Sequence, residues 1–270
     1  MSMSRVKLSS LEQYKALVAK AKNTGYTLSN CYFLAPEIQK KIDADSLYGF
    51  PLSQGLLLLE DCGSFYRCYY YLGDSTPEPV KLDKDAVIEF PFNAALNEKQ
   101  QRQIELIGQL GFRLGRESAL MRVVSDKIKR ELPTDERCQL ALQSDAEEIM
   151  RLLYGEFNPL YAFLPTEGEL SQIIEEKHVF VVRDQSQPVG VLVSSFSKKT
   201  ATANLLAINP NYRGNGLGGQ LLDFYHKYYR ADAAAFQHWV DLENGPAIRM
   251  YQKFGYEFTS RKANEYIYTI

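Results

Sequence analysis

Four glycines, Gly214, Gly216, Gly218 and Gly219, fall within six positions of the segment "INPNYRGNGLGGQLLDFYHKYYR", with Arg213 immediately ahead of them. The β-rich run "TATANLLAI" leads into this segment and a mostly apolar, helix-like stretch leaves it, so the glycines stand where a strand turns into a helix. At such a turn the first backbone N–H groups of the helix lack intrahelical acceptors and lie at the positive end of its dipole. Those conditions bind anions, phosphate above all. Glycine suits them twice over: no side chain blocks the approach of a phosphate, and left-handed backbone angles cost little. Arg213 adds a fixed charge at the mouth of this cradle.

Common nucleotide patterns do not account for the loop. "RGNGLGG" lacks the Lys-Ser/Thr pair of a P-loop. Gly214, Gly216 and Gly219 satisfy G-x-G-x-x-G, but no β-α-β nucleotide unit with an acidic residue at the next strand's end stands out, and the preceding strand follows a hairpin. A second cluster lies downstream, where "ENGPAIRMYQKFGYEF" carries Asn244, Ala247, Tyr251 and Gly255-Tyr256. The two segments together resemble the motifs of the GCN5-related N-acetyltransferase (GNAT) superfamily. Its acetyl-CoA signature, Arg/Gln-x-x-Gly-x-Gly/Ala, is met by Arg213, Gly216 and Gly218, and the flanking Ala207-Ile208, Asn-Pro pair, Tyr212 and Leu221-Leu222 agree with it. The resemblance covers residues 131–270.

That resemblance implies transfer of an acetyl group from acetyl-CoA, without a metal, to a primary amine of a small molecule or peptide by direct attack. It implies a pyrophosphate held by the backbone of Arg213, Gly214, Asn215, Gly216, Leu217, Gly218 and Gly219, with Asn244 and Tyr251 also beside the cofactor. An N–H of Ala207 or Ile208 would face the thioester oxygen as it gains negative charge. Tyr251 matches the position that protonates the departing thiolate. A phenol of pKa about 10 is a weaker acid than a thiol of about 8.5, so the proton must move as the C–S bond breaks rather than before. An alkylamine is unprotonated in only about one molecule in 2,500 at pH 7, roughly 4.6 kcal/mol from its reactive form, so a base or a desolvating pocket is required. Many relatives carry Glu on the strand before the glycine loop; here that strand offers Thr202 and Asn204, and the nearest carboxylates are Asp241 and Glu243, assigned to one face of the next strand. Glu243 is the expected catalytic base, acting directly or through water. An aromatic acceptor wall is expected from Phe157, Tyr161 and Phe163, although core packing accounts equally well for these rings. The connection lacks an acidic cluster, which argues against a polyamine or aminoglycoside. His226 is read as a helix-surface residue, His238 as packed in or beside the sheet, and His178 as a cap on the helix before its strand. Two other activities share these motifs: a retired enzyme that binds acyl-CoA as a sensor or structural module, and transfer of a longer acyl chain or to an oxygen acceptor.

Composition agrees with an enzyme that holds its anion locally. The 31 Lys+Arg nearly balance 33 Asp+Glu, so no global charge steers the chain to nucleic acid or an anionic membrane. No apolar run approaches the roughly 20 residues that span a bilayer, and "MSMSRVKLSS" lacks a signal-peptide core, so a cytoplasmic protein is expected. Cys31, Cys62, Cys68 and Cys138 and the three histidines have no metal-ligand spacing; the cysteines read as reduced, packed thiols.

These residues need a scaffold, and the pattern of elements supplies it. "SLEQYKALVAKAKNTG" reads as a helix stopped by Gly25, and "APEIQKKIDAD" as a short helix within an otherwise mixed stretch, 26–50. "GLLLLED" and "SFYRCYYYL" read as a hairpin, followed by strand "AVIEFPF", helix "NEKQQRQIELIGQL" and strand "RESALMRVV". The charged segment 125–137 marks a boundary between domains 1–130 and 131–270. The second domain reads β-α-α-β-β-β-α-β-α-β, with Ser144 and Glu147 at capping-box spacing on its first helix. This order predicts a mixed, mostly antiparallel α/β sheet with helices on both faces.

The first half resembles the second faintly, through Gly111-Phe112 and Gly255-Tyr256 at an offset of 144, which puts Ile107 where the second half has Tyr251. From the first hairpin strand to this glycine there are 51 residues in the first half and 72 in the second. The difference, 21, is about the size of a strand end, glycine loop and helix start, which suggests a tandem pair whose first copy has lost its cofactor element and is non-catalytic; the alternative is an unrelated, non-catalytic α+β domain over 1–130.

Overall fold

The computed structural model describes residues 5–23, 26–73 and 77–270, so Gly25, read as a helix stop, lies outside the described residues. Two compact units divide the chain: residues through Glu117 together with Ala263–Ile270, and Ser118–Lys262. The segment 125–137 lies inside the second of these. Its Leu132 N–H donates to Asp223 (3.1 Å) and its Leu132 carbonyl accepts from Lys227 (2.7 Å), so the backbone of this stretch is anchored to a helix while its charged side chains from Asp126 to Glu131 stay exposed.

In the first unit the order is β1 (Val6–Lys7), α1 (Leu11–Asn23), β2 (Tyr26–Ser29), α2 (Ala35–Asp43), β3 (Leu47–Leu52), β4 (Gly55–Asp61), β5 (Phe65–Gly73), β6 (Asp85–Asn93), α3 (Glu98–Gln109) and the first part of β7 (Arg113–Val124). Strands β3, β4 and β5 form an antiparallel meander, and β5 then pairs in parallel with β6 from Phe65↔Asp85 to Arg67↔Val87. The run "GLLLLED" is apolar throughout because both faces are covered. Leu56 and Leu58 pack with α1 and α2, while Leu57 and Leu59 join the core that contains Leu106 and Ile107 of α3. Strand β3 breaks the sequence pattern with Gly49 and Pro51, both poor strand residues. Gly49 lies under α1: a Cβ there would stand 2.4 Å from Leu17 Cδ1, so a larger residue would require the Leu17 side chain to shift.

The second unit repeats this plan. It comprises residues 118–124 of β7, β8 (Cys138–Leu140), α4 (Ala146–Glu156), α5 (Glu167–Glu175), β9 (Val179–Asp184), β10 (Gln187–Ser197), β11 (Thr200–Ile208), α6 (Leu217–Tyr229), β12 (Ala235–Asp241), α7 (Gly245–Lys253) and the first part of β13 (Glu257–Tyr268). Strands run β12-β11-β10-β9-β8 across the sheet, with 118–124 of β7 antiparallel to β12 from Ser118↔Asp241 to Val124↔Ala235. Helix α6 covers one face and α4 and α5 the other, as the pattern predicts. The start of α4 is organised by Asp145 rather than by Ser144 and Glu147. The Asp145 carboxylate accepts the Leu142 N–H (2.7 Å) and two bonds from Arg183 (2.9 and 2.6 Å) in a buried pair. Burial works to raise this carboxyl, but the Arg183 and Leu142 bonds outweigh it and hold it below the usual range.

The repeat is visible in hydrogen bonds. Helix α3 ends with Gly111 N–H to Gly108 and Phe112 N–H to Ile107; α7 ends with Gly255 N–H to Gln252 and Tyr256 N–H to Tyr251, each 144 residues on. Both glycines have positive φ, 102° and 94°. The structural partner of β4 is β10 rather than β9, because β3 precedes it, so the 51-to-72 residue comparison spans unlike strands. Measured between the first rungs of the two parallel pairs, Phe65↔Asp85 and Thr200↔Ala235, the spacing is 20 residues against 35. Among the described residues of the shorter connection there is no helix, whereas the longer one holds the 13 residues of α6.

A second difference lies where the parallel strands part. In the first unit β2 pairs with β5 from Tyr26↔Gly73 to Ser29↔Tyr71, on the edge that β6 has left. Asn30 then spans the gap: its Oδ1 accepts the Tyr70 N–H of β5 (2.8 Å) and its Nδ2 donates to the Glu89 carbonyl of β6 (3.1 Å). Asn30→Ala should lower stability by about 1–2 kcal/mol, since two backbone groups lose their partner, read as a lower urea midpoint with an unchanged slope.

Candidate active site

In the second unit the parallel ladder between β11 and β12 has four rungs, Thr200↔Ala235 to Ala203↔His238, and then stops. The cause lies on the other edge of β11, where the register with β10 shifts between Val193↔Leu205 and Ser194↔Ala203 and leaves Asn204 as an inserted bulge residue. The bulge reverses the parity of the strand. Ala201 and Ala203 face the α6 core, and beyond the bulge it is Leu206 and Ile208 that do so, while Leu205 and Ala207 join the α4/α5 core. The Asn209 N–H donates to Val189 of β10 (2.9 Å). By alternation the Ala207 N–H also faces β10, and those of Leu206 and Ile208 point to the open side. Of the two sequence-expected donors, only Ile208 is therefore turned into the gap, and Leu206, which sequence reasoning missed, joins it.

The glycine loop closes the wide end of this gap. Gly214 and Gly216 have φ of 82° and 75°, a left-handed backbone that favours glycine, and Gly216 is the N-cap of α6. Gly218 answers to packing: a Cβ there would meet Met250 Sδ at 3.3 Å. Gly219 donates to the Gly216 carbonyl (3.0 Å), whereas among the described residues no acceptor is found for the N–H groups of Gly214, Asn215, Gly216, Leu217 or Gly218. Five donors thus converge at one helix start, with residues 213–216 exposed. Arg213 is not a free charge at the mouth. Its guanidinium pairs with Glu156 at the end of α4, and its Nε donates to the Ile208 carbonyl (3.0 Å), which ties the loop to β11. Tyr212 adds a second tie, donating to Asp184 of β9 (2.9 Å).

Helix α7 packs beside the glycine loop on the α6 side of the sheet. Asn244, expected beside a cofactor, caps this helix by accepting the Ala247 N–H (3.1 Å). Tyr251 is buried, its ring stacked on His238 (4.5 Å between centroids) and edge-on to Tyr256 (5.3 Å). Burial raises its phenol above the usual value, and its hydroxyl has no hydrogen-bond partner among the described residues. Glu243 lies in the turn after β12 rather than on the strand, so it shares no strand face with Asp241; instead its N–H donates to the Asp241 carboxylate (2.8 Å). Thr202 accepts from Gln237 and Asn204 donates to Ser195, so both side chains are engaged within the sheet. In the connection 157–166, Asn158 accepts from Leu160, Tyr161 and Ala162. Phe157 packs against the α4/α5 core, Tyr161 is half-buried, and Phe163 is 66% exposed.

Placement of the histidines and cysteines corrects some expectations. His226 is buried, 4% exposed, against Phe236 and Phe254, and its Nε2 shares a 2.8 Å hydrogen bond with the Tyr256 hydroxyl. Helix α6 buries more of its circumference than one stripe, and His226 falls on the added part. Burial pushes its imidazole down to about 3. His238 lies in the sheet as read, and burial holds it at about 4. His178 caps α5 through its N–H to Ile173 (3.1 Å), and its ring bonds Tyr229. Cys68 and Cys138 are buried, Cys31 is half-buried, and Cys62 is exposed rather than packed. Among the described residues no helix is long and apolar enough to cross a membrane.

A sheet parted at a bulge, a glycine-rich helix start at the opening and a buried tyrosine on the facing helix define the acyl-CoA N-acyltransferase architecture. Residues 175–258 match the family of the acetyltransferase (GNAT) domain, and the second unit therefore carries a GNAT acyltransferase domain. No curated protein sequence matches the chain. Among solved structures it is similar to a GCN5-related N-acetyltransferase from Sphaerobacter thermophilus (13% identity, 98% of this chain and 95% of that one, TM-score 0.57). It is also similar to a tandem GNAT protein from the clavulanic acid biosynthesis pathway (10% identity, 98% of both chains, TM-score 0.55) and to a GNAT-family acetyltransferase from Colwellia psychrerythraea (12% identity, 98% and 100%, TM-score 0.52). At these identities the likeness is one of fold, and it spans both halves.

His226 also sets an acid sensitivity. Unfolded, it takes up a proton below 6.5, while the folded imidazole resists until about 3, so stability is lost as pH falls between those values. His226→Phe should flatten the pH dependence of the urea unfolding free energy over pH 6 to 4 by about 1.4 kcal/mol per unit, the contribution of one proton.

Proposed function

We propose that the protein is an acetyl-CoA-dependent N-acetyltransferase with one cofactor site per chain, in the second unit, acting on a primary amine of a small molecule or peptide. The observation that carries this reading is the pairing of two sets of unsatisfied backbone donors. Five converge at the start of α6, and those of Leu206 and Ile208 face the gap between β11 and β12. The first set suits a pyrophosphate and the second an extended amide chain that completes the edge of β11. Acetyl-CoA, when bound, supplies an acetyl thioester with both of these features.

This chain's residues have separate tasks in that reaction. The Ile208 N–H faces the thioester oxygen and stabilises charge developing there. Tyr251 gives its proton to the sulfur as the C–S bond breaks, and the concerted course matters more here because burial makes the phenol a weaker acid still. Glu243, exposed at the turn before α7, takes the proton of the attacking amine directly or through water. Phe163, the most exposed of the three aromatic residues, stands on the acceptor side with Phe157 and Tyr161. The first unit is non-catalytic: β2 and Asn30 already occupy the edge that β11 leaves open, and Ile107 stands where the second unit has Tyr251.

Calorimetric titration with acetyl-CoA should give one site per chain, abolished by replacing Gly216 with Glu, which strains the left-handed cap and sets a carboxylate in the cradle. Two sites, or binding that survives the substitution, would sink this reading. Tyr251→Phe should leave the affinity within about twofold and lower kcat by roughly a hundredfold.

A further inference from the structure

His238 stands at the point where the sheet begins to part. It is the β12 member of the last parallel rung, opposite Ala203, one residue before the bulge at Asn204. Its Nδ1 lies 2.6 Å from the Ala203 carbonyl oxygen, which can only accept, so the proton is on Nδ1 and the tautomer is set. The same ring stacks on Tyr251 with planes 29° apart. One side chain of β12 is thereby joined to the main chain of β11 and to the reactive side chain of α7.

The Tyr251 ring is held between two aromatic neighbours. His238 lies against its face and Tyr256 meets it edge-on, and Tyr256 is itself fixed by the hydrogen bond to His226. None of these contacts restrains the hydroxyl directly, and no hydrogen bond from another described residue acts on it. Its position along the gap follows from where the ring sits, and a proton donor displaced by about 1 Å loses much of its effect. The imidazole stays neutral in this setting, so it supports the phenol without placing a cation under it.

We propose that His238 is a positioning residue for acyl transfer: it couples the last rung of the parallel ladder to the Tyr251 ring and so aligns the hydroxyl with the sulfur leaving the thioester. This rests on the reading of Tyr251 as the proton donor, and the test separates the two. Thiol release from acetyl-CoA is followed with hydroxylamine, an amine already unprotonated at neutral pH that makes no demand on the base, in wild type, His238→Ala, Tyr251→Phe and the double variant. We expect His238→Ala to lower kcat about tenfold with KM for acetyl-CoA within about twofold, and to cost nothing further once the Tyr251 hydroxyl is gone. An equal loss in both backgrounds, or an effect on KM alone, overturns the inference. Wild-type kcat in Tyr251→Phe, or no thiol release above the uncatalysed rate by a protein that binds acetyl-CoA, removes the proton donor and the inference with it. Failure of wild type to bind acetyl-CoA instead removes the cofactor reading. Where His238→Ala does not fold, His238→Asn, which keeps a donor for the Ala203 carbonyl but no ring, carries the same comparison.

Discussion

The parting of two parallel strands governs both halves of this chain. Parallel strands bond through evenly spaced rungs, and once they diverge the inner edges carry backbone groups that a buried sheet must satisfy in some other way. The chain answers this in two ways. In the first unit it supplies its own partner, the short strand β2 and the forked amide of Asn30. In the second, one inserted residue at Asn204 turns the Leu206 and Ile208 donors into a gap that the protein leaves open. An edge that is closed in the first unit and left open in the second is the clearest structural difference between the two.

The open gap is held rigidly from several sides. Arg213 joins the glycine loop to α4 and to the end of β11, Tyr212 joins it to β9, and α6 is fixed beneath by a dense aromatic core around Phe180, Tyr225 and Tyr229. Donors fixed before a ligand arrives pay little ordering entropy on binding. The arginine of the sequence signature is itself engaged: its charge is matched by Glu156 and its Nε bonds the Ile208 carbonyl.

Division of labour between the repeats extends to the strands that end them. Residues 118–124 of β7, which follow the first repeat's helix, pair with β12, while the last residues of β13 belong with the first unit. A chain cut at residue 130 would strip β12 of that partner and leave a sheet edge bare. Among the described residues the second unit has a helix, α6, and a glycine loop between its parallel strands where the first unit has none.

Local patterns in the sequence determined a good deal. Glycines before an apolar periodic stretch specify a strand-to-helix turn, Asn244 and Tyr251 fall at fixed spacings along a short helix, and the caps at Gly111 and Gly255 repeat because chain direction at a helix end depends on a few adjacent residues. Strand β3 is hidden because Gly49 and Pro51 violate strand propensity, and what packs over Gly49 is a helix distant in sequence. His226 looked exposed because a polar residue on a helix gives no sign of how many faces are covered. Which N–H of β11 faces the gap, whether Arg213 is free, and that His238 meets Tyr251 depended on register, on a one-residue bulge and on the approach of separate elements. Those are properties of pairing across space, where a shift of one residue turns every side chain to the other face, and only the tertiary structure decided them.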